Sequence, residues 1–256
     1  MSQHKLFQIE GDRRSQGTAS NFQFVLPVNA ATINAKKIVL KSCSLPNVFY
    51  NVSDGSNTLV AKYLSGSNVT VTFPVGYYTA SQFVAMASQA FNDEMGGVSA
   101  TTLTFDSITG KITWAQTDVG GALTIQPSTV GGTAHSLFGL DPTTQFIVNQ
   151  SLGTEVSPFM TNLIGLTSFN IHSTALAGGN YLEEDGSLLP VVMNIPITAS
   201  FGGLNVYEAA TEELNSVEFS RPQSVQTIDI RLTDRSGRTL DIQNQNFKAL
   251  FLVYYD

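Results

Sequence analysis

Apolar and polar residues alternate in short runs along most of this chain, the period-two signature of half-buried β-strands. Residues 21–26 place Phe22, Phe24 and Leu26 on one face. A longer run follows at 36–45. Residues 58–64 and 68–73 form two further runs, separated by the hairpin signal Ser65-Gly66-Ser67. The period then changes. Over 79–94, Phe83, Met86, Ala87 and Ala90 recur at helical spacing with Phe91 beside them. Thr79 with Gln82 three residues on is a capping box, and Gly96-Gly97 is a stop signal. Period two resumes in a hairpin, 102–105 with 111–115, turning around Thr109-Gly110, and 122–126 is expected to add a third strand to it. Residues 135–140 form a short apolar turn expected to pack under the helix. The last third returns to strands at 163–173, 189–197, 204–208, 216–219, 225–233 and 247–255, with a short one at 239–242 after the turn Asp234-Arg235-Ser236-Gly237. The first 20 residues carry no element signal, and His4 is expected in a loose terminus.

These elements predict a mainly β protein: a single jelly-roll β-sandwich with a small α+β insertion of one helix plus a hairpin. The expected division is 1–75 and 141–256 for the jelly roll and 76–140 for the insertion. No repeat of 20 to 50 residues is visible, which excludes solenoids and propellers.

Composition sharpens the picture. Only 13% of the 256 residues are charged, about half the usual ~25%. Neutral polar residues take their place: 25 Ser, 26 Thr, 17 Asn and 14 Gln. Helical bundles draw heavily on Glu, Lys and Arg, so they are excluded. One cysteine, Cys43, cannot form an internal disulfide, and with three His it cannot build a Cys-rich zinc site. No apolar run is long enough for a membrane-spanning helix, and Met1 to Glu10 lack the apolar core of a signal peptide. The net charge of −7 has the wrong sign for a dedicated nucleic-acid binder. Charge is also unevenly placed. Residues 112–220 hold ten acids and no Lys or Arg, whereas the first 41 hold six basic groups against two acids. Two readings are open: solvated loops, or a polarised protein whose basic side, with Lys5, Arg13 and Arg14, meets something anionic inside an assembly.

Catalytic chemistry is hard to find. His4, His135 and His172 have no nucleophile paired with them in sequence, and no G-x-S-x-G elbow is present. Cys43 has no cationic neighbour closer than Lys41 and reads as structural. The acidic groups Glu183-Glu184-Asp185 and Glu212-Glu213 read as solvated loops. The three Asn-x-Ser/Thr matches read as accidents of composition. No catalytic residue, metal site or cofactor is expected. The adjacent aromatic pairs are more informative, because on a strand one member of each points outward. Phe49, Tyr50, Tyr77, Tyr78 and Tyr254 are the interface candidates.

The order of several segments resembles a known family. Ser20-Asn21-Phe22-Gln23-Phe24 opens the first strand, and Lys37-Ile38-Val39-Leu40 leads to Leu45-Pro46-Asn47-Val48-Phe49-Tyr50-Asn51-Val52. Phe73-Pro74-Val75-Gly76-Tyr77-Tyr78-Thr79 precedes the helix, and Phe138-Gly139-Leu140 closes the insertion. Ile195-Pro196-Ile197 runs on to Gly202 and Tyr207, and Ile228-Asp229-Ile230-Arg231-Leu232-Thr233-Asp234-Arg235-Ser236-Gly237-Arg238-Thr239-Leu240 leads to 247–255. In this order the chain resembles the penton (vertex, or minor capsid) proteins of tailless icosahedral double-stranded DNA viruses, the jelly-roll type of virophages, polintons and the adenovirus lineage. The resemblance implies a structural virion protein and not an enzyme, made in the host cell without a signal peptide and located at the capsid vertex. It implies a homopentamer that closes the fivefold opening, with the major capsid protein and a spike or receptor-binding protein as partners. The chain is short for the virophage type, so a large receptor-binding upper domain is not expected. Three other readings stay open: a receptor- or glycan-binding spike or fibre-tip sandwich, a single-jelly-roll major capsid protein, and a β-sandwich glycoside hydrolase or lyase.

Overall fold

The structure is a computed structural model that describes residues 3–26, 34–63, 66–94, 100–117, 121–149, 153–176, 181–182, 188–189, 191–211 and 216–255. The strands are β1 (Gln3–Glu10), β2 (Gln16–Gly17), β3 (Asn21–Val25), β4 (Asn34–Pro46), β5 (Thr58–Tyr63) and β6 (Val69–Thr72). After helix α1 (Ala80–Glu94) come β7 (Thr101–Asp106), β8 (Lys111–Gln116), β9 (Leu123–Ile125), β10 (Phe146–Val148) and β11 (Thr154–Val156). The chain continues with β12 (Ser168–His172), β13 (Tyr181–Leu182), β14 (Leu188–Leu189), β15 (Val191–Pro196), β16 (Leu204–Glu208), β17 (Ser216–Ser224), β18 (Thr227–Thr233) and β19 (Lys248–Tyr255).

The strands fall into two compact units. The first comprises Met1–Phe49 and Leu166–Asp256. One sheet has the order β1-β19-β4-β16, with β17 also on β4; the other has the order β15-β12-β18-β3-β2. Every pairing in them is antiparallel. Both sheets feed one core, in which Phe22, Phe169, Ile171, Ile228 and Ile230 of one meet Ile38, Leu40, Phe251 and Val253 of the other. This is the predicted jelly-roll sandwich. β4 shows how the alternation is kept in phase. Ala35, Ile38, Leu40, Cys43 and Leu45 are buried in that core, a spacing that strict period two does not allow. Its pairing with β19 shifts register between Leu250 and Phe251 and between Tyr254 and Tyr255. Each irregularity inserts one residue into β4 and returns the apolar set to the inner face.

The second unit is Tyr50–Gly165. It has a four-stranded sheet, β10-β9-β5-β6, and a three-stranded one, β11-β8-β7. Helix α1 starts as predicted. The Thr79 N–H donates to Gln82 Oε1 at 3.0 Å and the Gln82 N–H to Thr79 Oγ1 at 3.3 Å. Its buried face is Phe83, Val84, Ala87 and Phe91, with Met86 and Ala90 partly covered. Ser88 links it to the hairpin by accepting from the Leu103 N–H at 2.9 Å. The turn at His135–Phe138 supplies the hub of the core. The Phe138 ring lies 4.8 to 6.2 Å from those of Phe83, Phe73, Trp114 and Phe91. The Trp114 indole N–H is satisfied by Ser157 Oγ at 3.0 Å. Gly139 ends that turn at φ 64°, and a Cβ there would overlap the Phe159 carbonyl.

The sequence expectations differ from the structure in several places. The expected insertion was 76–140, but the second unit takes in 50–75 and 141–165 as well. Its sheet needs β5 and β6 to pair with β9 and β10, which lie on either side of the helix and hairpin. Residues 122–126 do form a strand, yet β9 joins β5 and not the hairpin. The third strand of the hairpin is β11, whose three residues are too few to show an alternation. Residues 239–242 contribute one bridge, Thr233 to Thr239, and no strand. The expected loose N-terminus is β1, matched residue for residue with β19 from Gln3–Tyr255 to Glu10–Lys248. Gly96-Gly97, Glu183-Glu184-Asp185 and Glu212-Glu213 lie outside the described residues.

Phe138→Ala should destabilise the second unit by about 3–5 kcal/mol, because four rings lose their common neighbour. Urea unfolding followed by the fluorescence of Trp114, the only tryptophan, reads this directly. A loss below about 1 kcal/mol would show that the cluster is not the hub.

Candidate functional site

Side chains that meet a partner stand exposed or along open strand edges. The aromatic pairs at 49–50 and 77–78 lie in loops and not on strands, yet each divides between core and surface. Phe49 packs on the core of the first unit while Tyr50 is exposed. Tyr77 is exposed while Tyr78 packs on the second core and donates its hydroxyl to the Pro74 carbonyl at 3.0 Å. Tyr254 lies with its ring 5.7 Å from that of His4, and Tyr255 packs inward. Tyr50 and Tyr77 thus keep the outward position expected of interface residues, whereas Phe49 and Tyr78 serve the packing.

The basic residues form no free arm. Lys5 sits on β1 with its ammonium 5.6 Å from the centre of the Tyr255 ring. Arg13 pairs with Glu10 at 3.0 Å, and the same carboxylate takes Lys248 at 3.5 Å. Arg14 donates to the carbonyls of Gly11 at 2.7 Å and Gly17 at 3.1 Å. Backbone carbonyls and one carboxylate hold these side chains against an ordered edge. The sequence reading missed this because β1 is polar at most positions and its partner β19 is some 240 residues away.

Buried polar groups are structural. Burial pushes the Cys43 thiol up to about 12, so it is no nucleophile at neutral pH. His172 is buried, with Nε2 2.7 Å from Thr233 Oγ1. His135 is buried, with Nε2 2.8 Å from the Gln126 carbonyl. Burial raises the Asp229 carboxyl, but the N–H groups of Thr174 and Ala175 and the Thr174 hydroxyl outweigh it and hold the group below its usual range. Asp229 thereby anchors the loop after β12. Among the described residues no group of three or more His, Cys, Asp or Glu is placed to hold a metal ion.

One group of exposed apolar side chains among the described residues escaped the sequence reading. In the second unit, Ile108 is 94% exposed, Ile164 75% and Met160 67%, and Phe159 is exposed beside them. Their segment is rigidly held. The Ser157 N–H donates to the Ile112 carbonyl, Phe159 to Gly139, Thr161 to Gly110 and Asn162 to Ser136, all at 2.8 to 3.1 Å. Lys111 Nζ donates to the Pro158 carbonyl at 2.8 Å. Backbone bonds therefore fix the strip while its apolar side chains stand in water, the arrangement of a preorganised interface. No sequence signal marks it, because 157–165 has neither period.

No protein-family model matches the chain, and no curated protein matches it in sequence. The fold is a jelly roll carrying a second unit within its chain. It is similar to the crystal structure of the selenomethionine-labelled mavirus penton protein, with a TM-score of 0.56 and 8% identity, covering 99% of this chain and 100% of that one. This chain is thus not short beside that virophage-type chain, contrary to expectation. At 8% identity the likeness concerns the fold and carries over no residue.

Two measurements follow. Phe159→Ser and Met160→Ser should change stability by less than about 0.5 kcal/mol each, as exposed positions do. A loss above about 2 kcal/mol in thermal or urea unfolding would mean that the strip is packed. The second concerns pH. Burial, then the Arg231 guanidinium, hold the His172 imidazole below its ordinary 6.5. The unfolded chain therefore binds more protons between the lowered value and 6.5, so this contribution to stability is full above that window and is lost as pH falls through it. Urea midpoints at stepped pH should fall on acidification across the window for the native chain and flatten there in His172→Gln, which keeps a partner for Thr233. Equal slopes would remove His172 as the cause.

Proposed function

We propose that this chain is a penton subunit, a structural virion protein without catalytic activity or cofactor that forms a homopentamer at the fivefold vertices of an icosahedral capsid. The observation that carries the reading is the end-to-end correspondence of fold with a penton protein across both units. Physical features support it. The sandwich offers a rigid β-framework, and the second unit presents a fixed apolar strip of the kind that partner proteins cover. The major capsid protein would surround the subunit, and the apolar strip or the exposed Tyr50 and Tyr77 would meet it or a spike or receptor-binding protein. Arg13 and Arg14 would face an anionic interior, genome or membrane, as a fixed basic corner. The location would be the capsid vertex.

Light scattering after size exclusion tests the reading. Five copies of the 27.5 kDa chain give a mass of about 137 kDa. That result is expected for purified protein at micromolar concentration. A trimer would instead favour a capsomer or fibre tip and set the vertex reading aside.

A further inference from the structure

The sheet β1-β19-β4-β16 ends on two open strands. Among the described residues β1 pairs only with β19, and β16 only with β4. The Gly11 N–H bonds the Phe247 carbonyl at 2.8 Å and the Ala209 N–H bonds the Lys41 carbonyl at 2.9 Å. These bonds set which backbone groups point into the sheet. Counting by twos from them leaves the N–H and C=O groups of His4, Leu6 and Gln8 on one edge facing away from the sheet. On the other edge they leave those of Leu204, Val206 and Glu208.

The side chains beside these groups are apolar and wet: Leu6 is 60% exposed, Leu204 58% and Val206 53%. Between the edges lies a trough of about 330 Å³ lined by Gln8, Ser42, Ser44, Leu250 and Lys248 as well as Leu204 and Val206. Long edge strands with exposed apolar residues invite pairing, and stable proteins cover them.

Charge and strand direction select what covers them. His4 and Lys5 lie on one edge and Glu208 on the other, and residues 204–220 carry four acids and no base. A symmetric contact would set Lys5 against Lys5, or Glu208 against Glu208. A head-to-tail contact that aligns Leu6 with Val206 sets His4 against Glu208 on the outer face of the sheet. The four strands alternate in direction, so β1 of a second copy in the same orientation runs antiparallel to β16 and continues the sheet. We propose that copies of this chain join head to tail, the β1 edge of one on the β16 edge of the next. This rests on the homo-oligomeric reading above and names its surface. A heterologous contact of this kind closes into a ring when its rotation permits.

A disulfide trap tests it. In the Leu6→Cys, Val206→Cys double variant the new thiols sit three strands apart in one chain, at least about 14 Å, beyond the ~7 Å reach of a disulfide. Any bond between them therefore joins two copies, and Cys43 stays buried and protonated. Mild oxidation should give a ladder of linked chains rising to the full oligomer on non-reducing gels, with each single variant giving dimers at most. An oligomer of unchanged mass with no ladder overturns this interface and leaves the vertex reading standing. A chain that is monomeric throughout overturns both. His4→Glu, which sets two carboxylates against each other, should weaken association at least about tenfold, and adding Glu208→Lys should restore it. Equal association in all three forms would also overturn the proposal.

Discussion

The jelly roll depends on β4. Its thirteen residues give their backbone groups to β19 along one side and to β16 and β17 along the other. A strand inside a sheet has no water to satisfy its N–H and C=O groups, so both neighbours must hold register along its length. β4 also has to keep five apolar side chains on the inner face. The two insertions opposite β19 reconcile these demands. Without them a one-residue slip would send half of that set to the outside.

The low charge of the chain follows from how its polar groups are used. Amide side chains stand in for missing backbone partners. Asn51 donates to the carbonyls of Tyr78 at 2.8 Å and Leu163 at 3.1 Å and accepts the Tyr78 N–H at 3.0 Å, all within the second unit. Asn205 does the same between β15 and β16, taking the Thr198 N–H at 2.8 Å and donating to the Pro196 carbonyl at 2.9 Å. Such a group satisfies a loop without the desolvation cost of a buried ion. Where carboxylates are used, as at Asp229 and Asp234, they collect backbone N–H groups and shape a turn.

The same economy leaves apolar side chains outside. A protein that lived alone would gain by making Ile108, Met160 and Leu6 polar, since exposed apolar groups invite association. Their retention on a fixed strip of the second unit and on a sheet edge of the first fits a subunit that is covered when it works. Firm backbone bonding suits a rigid framework, and the likeness of fold to a penton protein fits that demand.

Much of this was legible in the residues. The alternation in 21–26, 58–64, 111–115 and 204–208 marked strands within a residue or two of their ends. The Thr79–Gln82 box marked where the helix begins. Phe22 takes the inward position that period two assigns it. These features are local: a side chain within a few positions of its neighbour decides the outcome. β1, β11, the wider second unit and the apolar strip at 157–165 were not legible. A strand ladder is made of backbone groups that are the same in every residue, so sequence says little about which distant strands will meet. Residues alone determined that this chain is mainly β, with a helix capped at Thr79. Only the tertiary structure decided that its first residues close a sheet with its last, because that pairing is set by packing across the whole chain.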